Sequence, residues 1–139
     1  MDIEQDIQAA GANVAPRITP ADIEANILYE GYFTADQGVA AEDAYMGELG
    51  DPGHPALKLL TFCVLVLQNG FTVTGESACA SPANFNAEIG RKVARANAVE
   101  KMWPLMGYAL KEQLAKTNAY GAAGLIGLPV IDAMTEASQ

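Results

Sequence analysis

The sequence predicts an α+β fold: a β-hairpin, the core of a small antiparallel sheet, packed on a long kinked C-terminal helix, with a short helix ahead of it. Three observations predict it. Asn69-Gly70 separates an apolar run, Leu57 to Leu67, from Phe71-Thr72-Val73-Thr74. An Asn-Gly pair between two such runs suits a type I′ turn, which needs positive φ at both central residues. Ile89, Val93, Ala96, Val99, Trp103, Met106 and Leu110 then step by three or four, one face of an amphipathic helix. Upstream, Thr19-Pro20-Ala21-Asp22 offers a capping hydroxyl, a proline at the first helical position and an acid in the first turn.

Residues 1–18 read as a flexible leader and 19–117 as a single α+β domain. The first helix is expected over about 20–30, on the spacing of Ile23 and Ile27, with Gly31 as its stop. A second short helix is possible near 40–48. The stretch Leu49-Gly50-Asp51-Pro52-Gly53-His54-Pro55 is a loop rich in breakers. With Asn69 and Gly70 alone as the hairpin loop, Gln68 faces Phe71, Val66 faces Val73 and Cys63 faces Glu76. Leu60, Phe62, Val64 and Val66 then share a face with Phe71 and Val73, and Cys63, Leu65 and Leu67 form a second face that is only half apolar. That second face needs a cover, from the N-terminal helix or from another subunit. Ser81-Pro82 repeats the cap-plus-proline start before the long helix, and Pro104 is expected to kink it near Trp103. Residues 118–139, with Gly-rich small residues and Pro129, read as a flexible tail.

Composition narrows the class. The 139-residue chain is half hydrophobic, enough for a core without disulfides, and its cysteines, Cys63 and Cys79, are not expected to pair. No secretory signal is visible in Met-Asp-Ile-Glu-Gln-Asp, and the apolar run from Leu59 to Leu67 is too short to span a bilayer. The expectation is a cytosolic protein without membrane attachment. The net charge of −9 argues against duplex DNA as a partner, which calls for a broad basic surface. Acids crowd residues 1–56, where Arg17 is the lone base. Arg91, Lys92, Arg95, Lys101, Lys111 and Lys116 follow later, either as a solvated helix face or as a local anion site.

Catalytic motifs are lacking, and the chain is not expected to be an enzyme. The single histidine, His54, lies in a loop with no obvious partner. Gly75-Glu76-Ser77-Ala78-Cys79 resembles a nucleophile elbow but ends in cysteine, with no histidine downstream to act as base. Cys79 reads as a small hydrophobe. No phosphate-loop or dinucleotide fingerprint occurs, and the residue set suggests neither a metal nor any other cofactor. One junction does suit a ligand. Ser77, Ser81, Asn84 and Asn86 bring hydroxyls and amides to a helix start, Arg91 and Arg95 lie four apart on that helix, and Phe85 and Phe71 offer stacking surfaces. Together these fit a phosphate-bearing small molecule such as a nucleotide, as against simple capping by Ser81 beside solvated arginines.

The motifs Asn69-Gly70-Phe71, Gly75-Glu76-Ser77-Ala78-Cys79, Pro82-Ala83-Asn84-Phe85 and Ile89-Gly90-Arg91, with Trp103-Pro104-Leu105-Met106-Gly107-Tyr108 beyond them, carry a resemblance over about residues 57–115. The chain resembles the small phage accessory-protein family named after gene products of phages N4 and Sf6. The resemblance implies expression in the host bacterial cytoplasm. It further suggests similarity to anti-defence proteins, including the anti-Thoeris sponges, which sequester cyclic ADP-ribose isomers or cyclic oligonucleotides and assemble as homo-oligomers. By motif, it implies Asn84 and Phe85 near the ligand and Arg91 or Arg95 near phosphate. The leading expectation is a homo-oligomeric counter-defence protein that binds and sequesters a small cyclic nucleotide signal between subunits, through Asn84, Phe85, Arg91, Arg95, Ser77 and Phe71. The alternatives are a module that inhibits or adapts a host protein and a structural component of the virion.

Overall fold

The computed structural model describes residues 2–47 and 53–122, with side chains up to Asn118. Helices α1 (Ile3–Ala9), α2 (Pro20–Ala25), α3 (Ala35–Tyr45) and α4 (Ala87–Ala122) accompany strands β1 (Ile27–Thr34), β2 (Leu60–Leu67) and β3 (Thr72–Ala78). This is the expected α+β class, with a short N-terminal helix and a long C-terminal one. The described residues form two compact units. One takes in the residues up to Asn26 and those from Met102 onward; the other is Ile27–Lys101. The domain expected over 19–117 spans both. Most of the tail expected at 118–139 lies outside the described residues, although α4 itself runs to Ala122.

In the first unit, α1 occupies part of the stretch expected to be a leader. Its N-cap, Asp2, accepts from the Glu4 amide at 3.0 Å. Helix α2 starts as its sequence dictates. Thr19 Oγ1 accepts from the Asp22 amide at 3.1 Å, Asp22 Oδ2 accepts from the Thr19 amide at 2.8 Å, and Pro20 takes the first helical position. The helix ends at Ala25, not near residue 30 as expected. Ile23, Met102 and Leu110 are buried in this unit.

The second unit is a three-stranded antiparallel sheet in the order β1-β2-β3, with α4 against one face. Strand β1 is the element the sequence concealed. Its pairing slips between Ile27 and Tyr29, so Leu28 is an extra residue and the period-two alternation is broken. Gly31, expected as a helix stop, lies mid-strand. The Tyr29 ring covers it so closely that a Cβ there would stand 2.9 Å from the Tyr29 hydroxyl.

The hairpin register also differs from expectation, by one residue. Leu65 pairs with Val73, Val66 with Thr72 and Cys63 with Gly75. The loop holds three residues: the Gly70 amide donates to the Leu67 carbonyl at 2.9 Å, and the Leu67 amide donates to the Phe71 carbonyl at 2.8 Å. Only Gly70, at φ 88°, is left-handed; Asn69 is not, because no described non-glycine residue has positive φ. Asn69 instead uses its side-chain oxygen to accept from the Phe71 amide at 2.9 Å. A turn closed by a left-handed glycine thus replaces the type I′ turn.

The slip exchanges the two faces. Thr61, Cys63, Leu65, Leu67 and Val73 are the buried set, and Leu60, Phe62, Val64 and Val66 lie on the open face beside Tyr29, Phe33, Thr72 and Thr74. The helix face is corrected in the same way. Ala94 and Ala98 are fully buried, whereas Ile89 and Val93 are exposed. Small residues win because α4 crosses β3 directly over Gly75. A Cβ on Gly75 would stand 2.2 Å from the Ala94 carbonyl oxygen and 2.3 Å from the Ala98 nitrogen. Asn97 Nδ2 fastens the helix to the strand by donating to the Glu76 carbonyl at 2.7 Å. Pro104 lies inside α4, which continues through it.

Candidate functional site

A pocket of about 270 Å³ opens at one end of the sheet, built wholly from the Ile27–Lys101 unit. The end of β1 supplies Phe33 and Thr34, and the first turn of α3 supplies Asp36 and Gln37. Lys58 comes from a 3-10 turn, Pro55–Leu59, and Thr61 from the start of β2. Phe85 and the opening residues of α4, Ala87 and Arg91, close it.

Local sequence sets each wall. Thr34-Ala35-Asp36-Gln37 is a helix-start signature, and the Gln37 side chain accepts from the Thr34 amide at 3.0 Å while the Thr34 hydroxyl donates to Asp36. Asn86 caps α4, accepting from the Ile89 amide at 3.0 Å. His54 caps the 3-10 turn through Nδ1, 3.0 Å from the Ala56 amide, which holds Lys58 in place. Two helix starts therefore face the pocket, together with Lys58 and Arg91. Helix starts carry partial positive charge and favour anions.

Thr61 is the polar side chain at the pocket floor. It is 3% exposed, and its Oγ1 finds no hydrogen-bond partner among the described residues. Gly90 of α4 lies close over it. A Cβ there would stand 3.0 Å from Thr61 Oγ1 and 3.9 Å from the Phe85 ring. Leaving a buried hydroxyl unpaired costs about 1–3 kcal/mol, so the fold carries an uncompensated buried donor beneath the start of α4.

Arg91 is held from behind. Its guanidinium lies 5.9 Å from the centroid of the Tyr32 ring, within cation–π range. The Tyr32 hydroxyl donates to Glu30 Oε2 at 2.6 Å. Burial, and next this bond to Glu30, push the Tyr32 phenol well above its ordinary range, so the ring stays neutral. Glu30 also receives Arg95, Nε to Oε2 at 3.2 Å and Nη2 to Oε1 at 3.4 Å.

The six residues proposed from sequence thus separate. Phe85 and Arg91 line the pocket. Asn84 is exposed in the neighbouring 3-10 turn, Pro82–Asn84. Ser77 pairs with Thr61 across β2 and β3 without lining the pocket. Arg95 is engaged with Glu30. Phe71 is 53% exposed beside the hairpin loop, at the other end of the sheet from Thr61. Sequence reasoning missed Phe33, Thr34, Asp36, Gln37, Lys58 and Thr61. The capping signature at Thr34 was the one signal that pointed to a helix start there.

Among the described residues no three metal-ligating side chains gather, and no helix is long and apolar enough to cross a membrane. Cys63 and Cys79 are free thiols. No curated protein and no solved structure matches the chain at a significant level. A family profile does match, over residues 18–114, which includes every residue of the pocket. The chain belongs to the phage protein (N4 Gp49/phage Sf6 gene 66) family.

Proposed function

We propose that this phage protein is a non-enzymatic binder that sequesters a small nucleotide in the host cytoplasm, in the service of counter-defence. The observation that carries the reading is the pocket lined by Arg91 and Lys58 together with Phe33 and Phe85. Two cations suit phosphate, and aromatic side chains suit a base. The volume, about 270 Å³, is near the small end of ligand sites and matches one nucleotide unit. Sequestration needs binding alone. Cyclic nucleotide signals and cyclic ADP-ribose isomers are the class that the family resemblance suggests.

The open sheet face favours a partner as well. Leu60, Phe62, Val64 and Val66 are half-buried there, and Tyr29 is 59% exposed. We propose a second copy of this chain as the occupant, with a host protein as the alternative. Native mass spectrometry of the purified protein, alone and with a panel of cyclic nucleotides and ADP-ribose isomers, tests both. The reading expects an oligomer that gains the mass of a nucleotide. A protein that ignores the whole panel, yet captures one host protein stoichiometrically, would replace it with the protein-interaction reading.

A further inference from the structure

The charges that line the pocket are unequal in a way that selects among phosphates. Lys58 and Arg91 contribute two positive charges and Asp36 one negative. Asp36 is fixed in place by the Thr34 hydroxyl. Glu88, the other acid near the start of α4, is paired with Lys92 at 3.4 Å and is not a lining residue. The helix starts add amide donors and partial charge, not whole charges. The formal balance is therefore a single positive charge, complementary to one negative charge. A phosphodiester carries one; a phosphomonoester carries about −1.5 to −2 near neutral pH.

Resting on the nucleotide reading above, we propose that Asp36 is a specificity residue that makes the pocket prefer a singly charged phosphodiester to a phosphomonoester. The diester oxygen pair faces Arg91 and Lys58. A second full charge on a monoester meets the Asp36 carboxylate. The same diester chemistry is present in a cyclic mononucleotide and in a cyclic dinucleotide. The pocket holds one nucleotide unit, so a second unit of a larger ring lies outside it.

Isothermal titration of the full chain with cyclic AMP, AMP and cyclic di-AMP tests the proposal. The wild-type protein is expected to bind a diester at least about tenfold more tightly than AMP, a difference that one unscreened charge readily supplies. Asp36→Asn is expected to narrow that ratio by about tenfold, chiefly by tightening AMP. AMP binding as tightly as the diesters, or a ratio unchanged in Asp36→Asn, overturns the role of Asp36. Should none of the three ligands bind the wild-type chain, the nucleotide reading itself falls, a result distinct from the failure of the Asp36 role. The relative affinities of the two diesters report whether the ligand is the smaller or the larger ring.

Discussion

Arg95 Nε donates to Glu30 Oε2 at 3.2 Å, and this pairing divides two arginines that lie one turn apart on α4. Arg91, the earlier of them, sits over Tyr32 and lines the pocket. Arg91→Ala is therefore expected to weaken nucleotide binding by roughly 10- to 100-fold, the loss of a charge-assisted hydrogen bond, with an unchanged melting temperature. Arg95→Ala is expected to change affinity by less than about threefold and stability by ~1 kcal/mol or less, as for other part-exposed ion pairs. Equal loss of binding in both variants would contradict this division.

Two glycines of the second half of the chain predict opposite signs. At Gly75 an added methyl meets the backbone of α4 at 2.2 Å, and neither partner is a flexible side chain. Gly75→Ala is expected to destabilise by about 3 kcal/mol, the upper part of the range for overpacking. At Gly107, inside α4, a methyl meets nothing within 4 Å. Gly107→Ala is expected to stabilise by about 0.5–1 kcal/mol through helix propensity. Urea denaturation of both variants checks the pair; a tolerated Gly75→Ala would mean that α4 does not cross β3 where described.

The two thiols are expected to react differently. Cys63 is fully buried, and burial pushes its thiol upward, opposed in part by the neighbouring Tyr32 hydroxyl. Cys79 is half-buried, with its sulfur 3.2 Å from the Ser81 carbonyl oxygen. Ellman's reagent is expected to titrate one thiol quickly in the native protein at mildly alkaline pH and both after unfolding. Fast reaction of both native thiols would show that the sheet-to-helix core is open.

The first unit carries its own pH dependence. Arg17 grips both carboxylate oxygens of Glu4 at 2.8 Å, and this hydrogen bonding holds Glu4 below its ordinary value of 4.5. A carboxylate depressed in the folded state stabilises above its unfolded value and loses that contribution as pH falls through the folded one. After correction for the intrinsic fall of amide exchange with pH, exchange in α1 is thus expected to be most strongly protected above about pH 5 and to show a relative acceleration below 4.5. Glu4→Gln should remove the acceleration. An exchange profile that is the same in wild type and Glu4→Gln would contradict the coupling.

The sequence made the α+β class legible through strong local signals: the cap at Thr19, the Asn69-Gly70 turn and the long periodic helix. It misled where close packing replaced bulk. Ile89 and Val93 matched the helical period yet face solvent, because Gly75 admits the α4 backbone only at Ala94 and Ala98. The bulge at Leu28 hid β1, and with it Glu30, Tyr32 and Phe33. For that reason half of the pocket could not be read: Phe85 and Arg91 were visible beside a helix start, while Thr61, Lys58 and Asp36 join them only through strand pairing and the α3 cap. The hairpin loop shows how little separates two registers. Placing φ 88° on Gly70 alone, not on Asn69 and Gly70 together, exchanged the buried and open faces.

The central claim is that a nucleotide occupies the pocket at the end of the sheet, and backbone amide chemical shifts of isotopically labelled protein test it most directly. On titration with cyclic AMP, the largest shifts are predicted at Thr34, Asp36, Thr61, Phe85 and Arg91, with the hairpin loop around Phe71 unmoved. Shifts confined to Tyr29, Val64 and Thr72 on the open sheet face, or no shifts at millimolar ligand, would contradict the account.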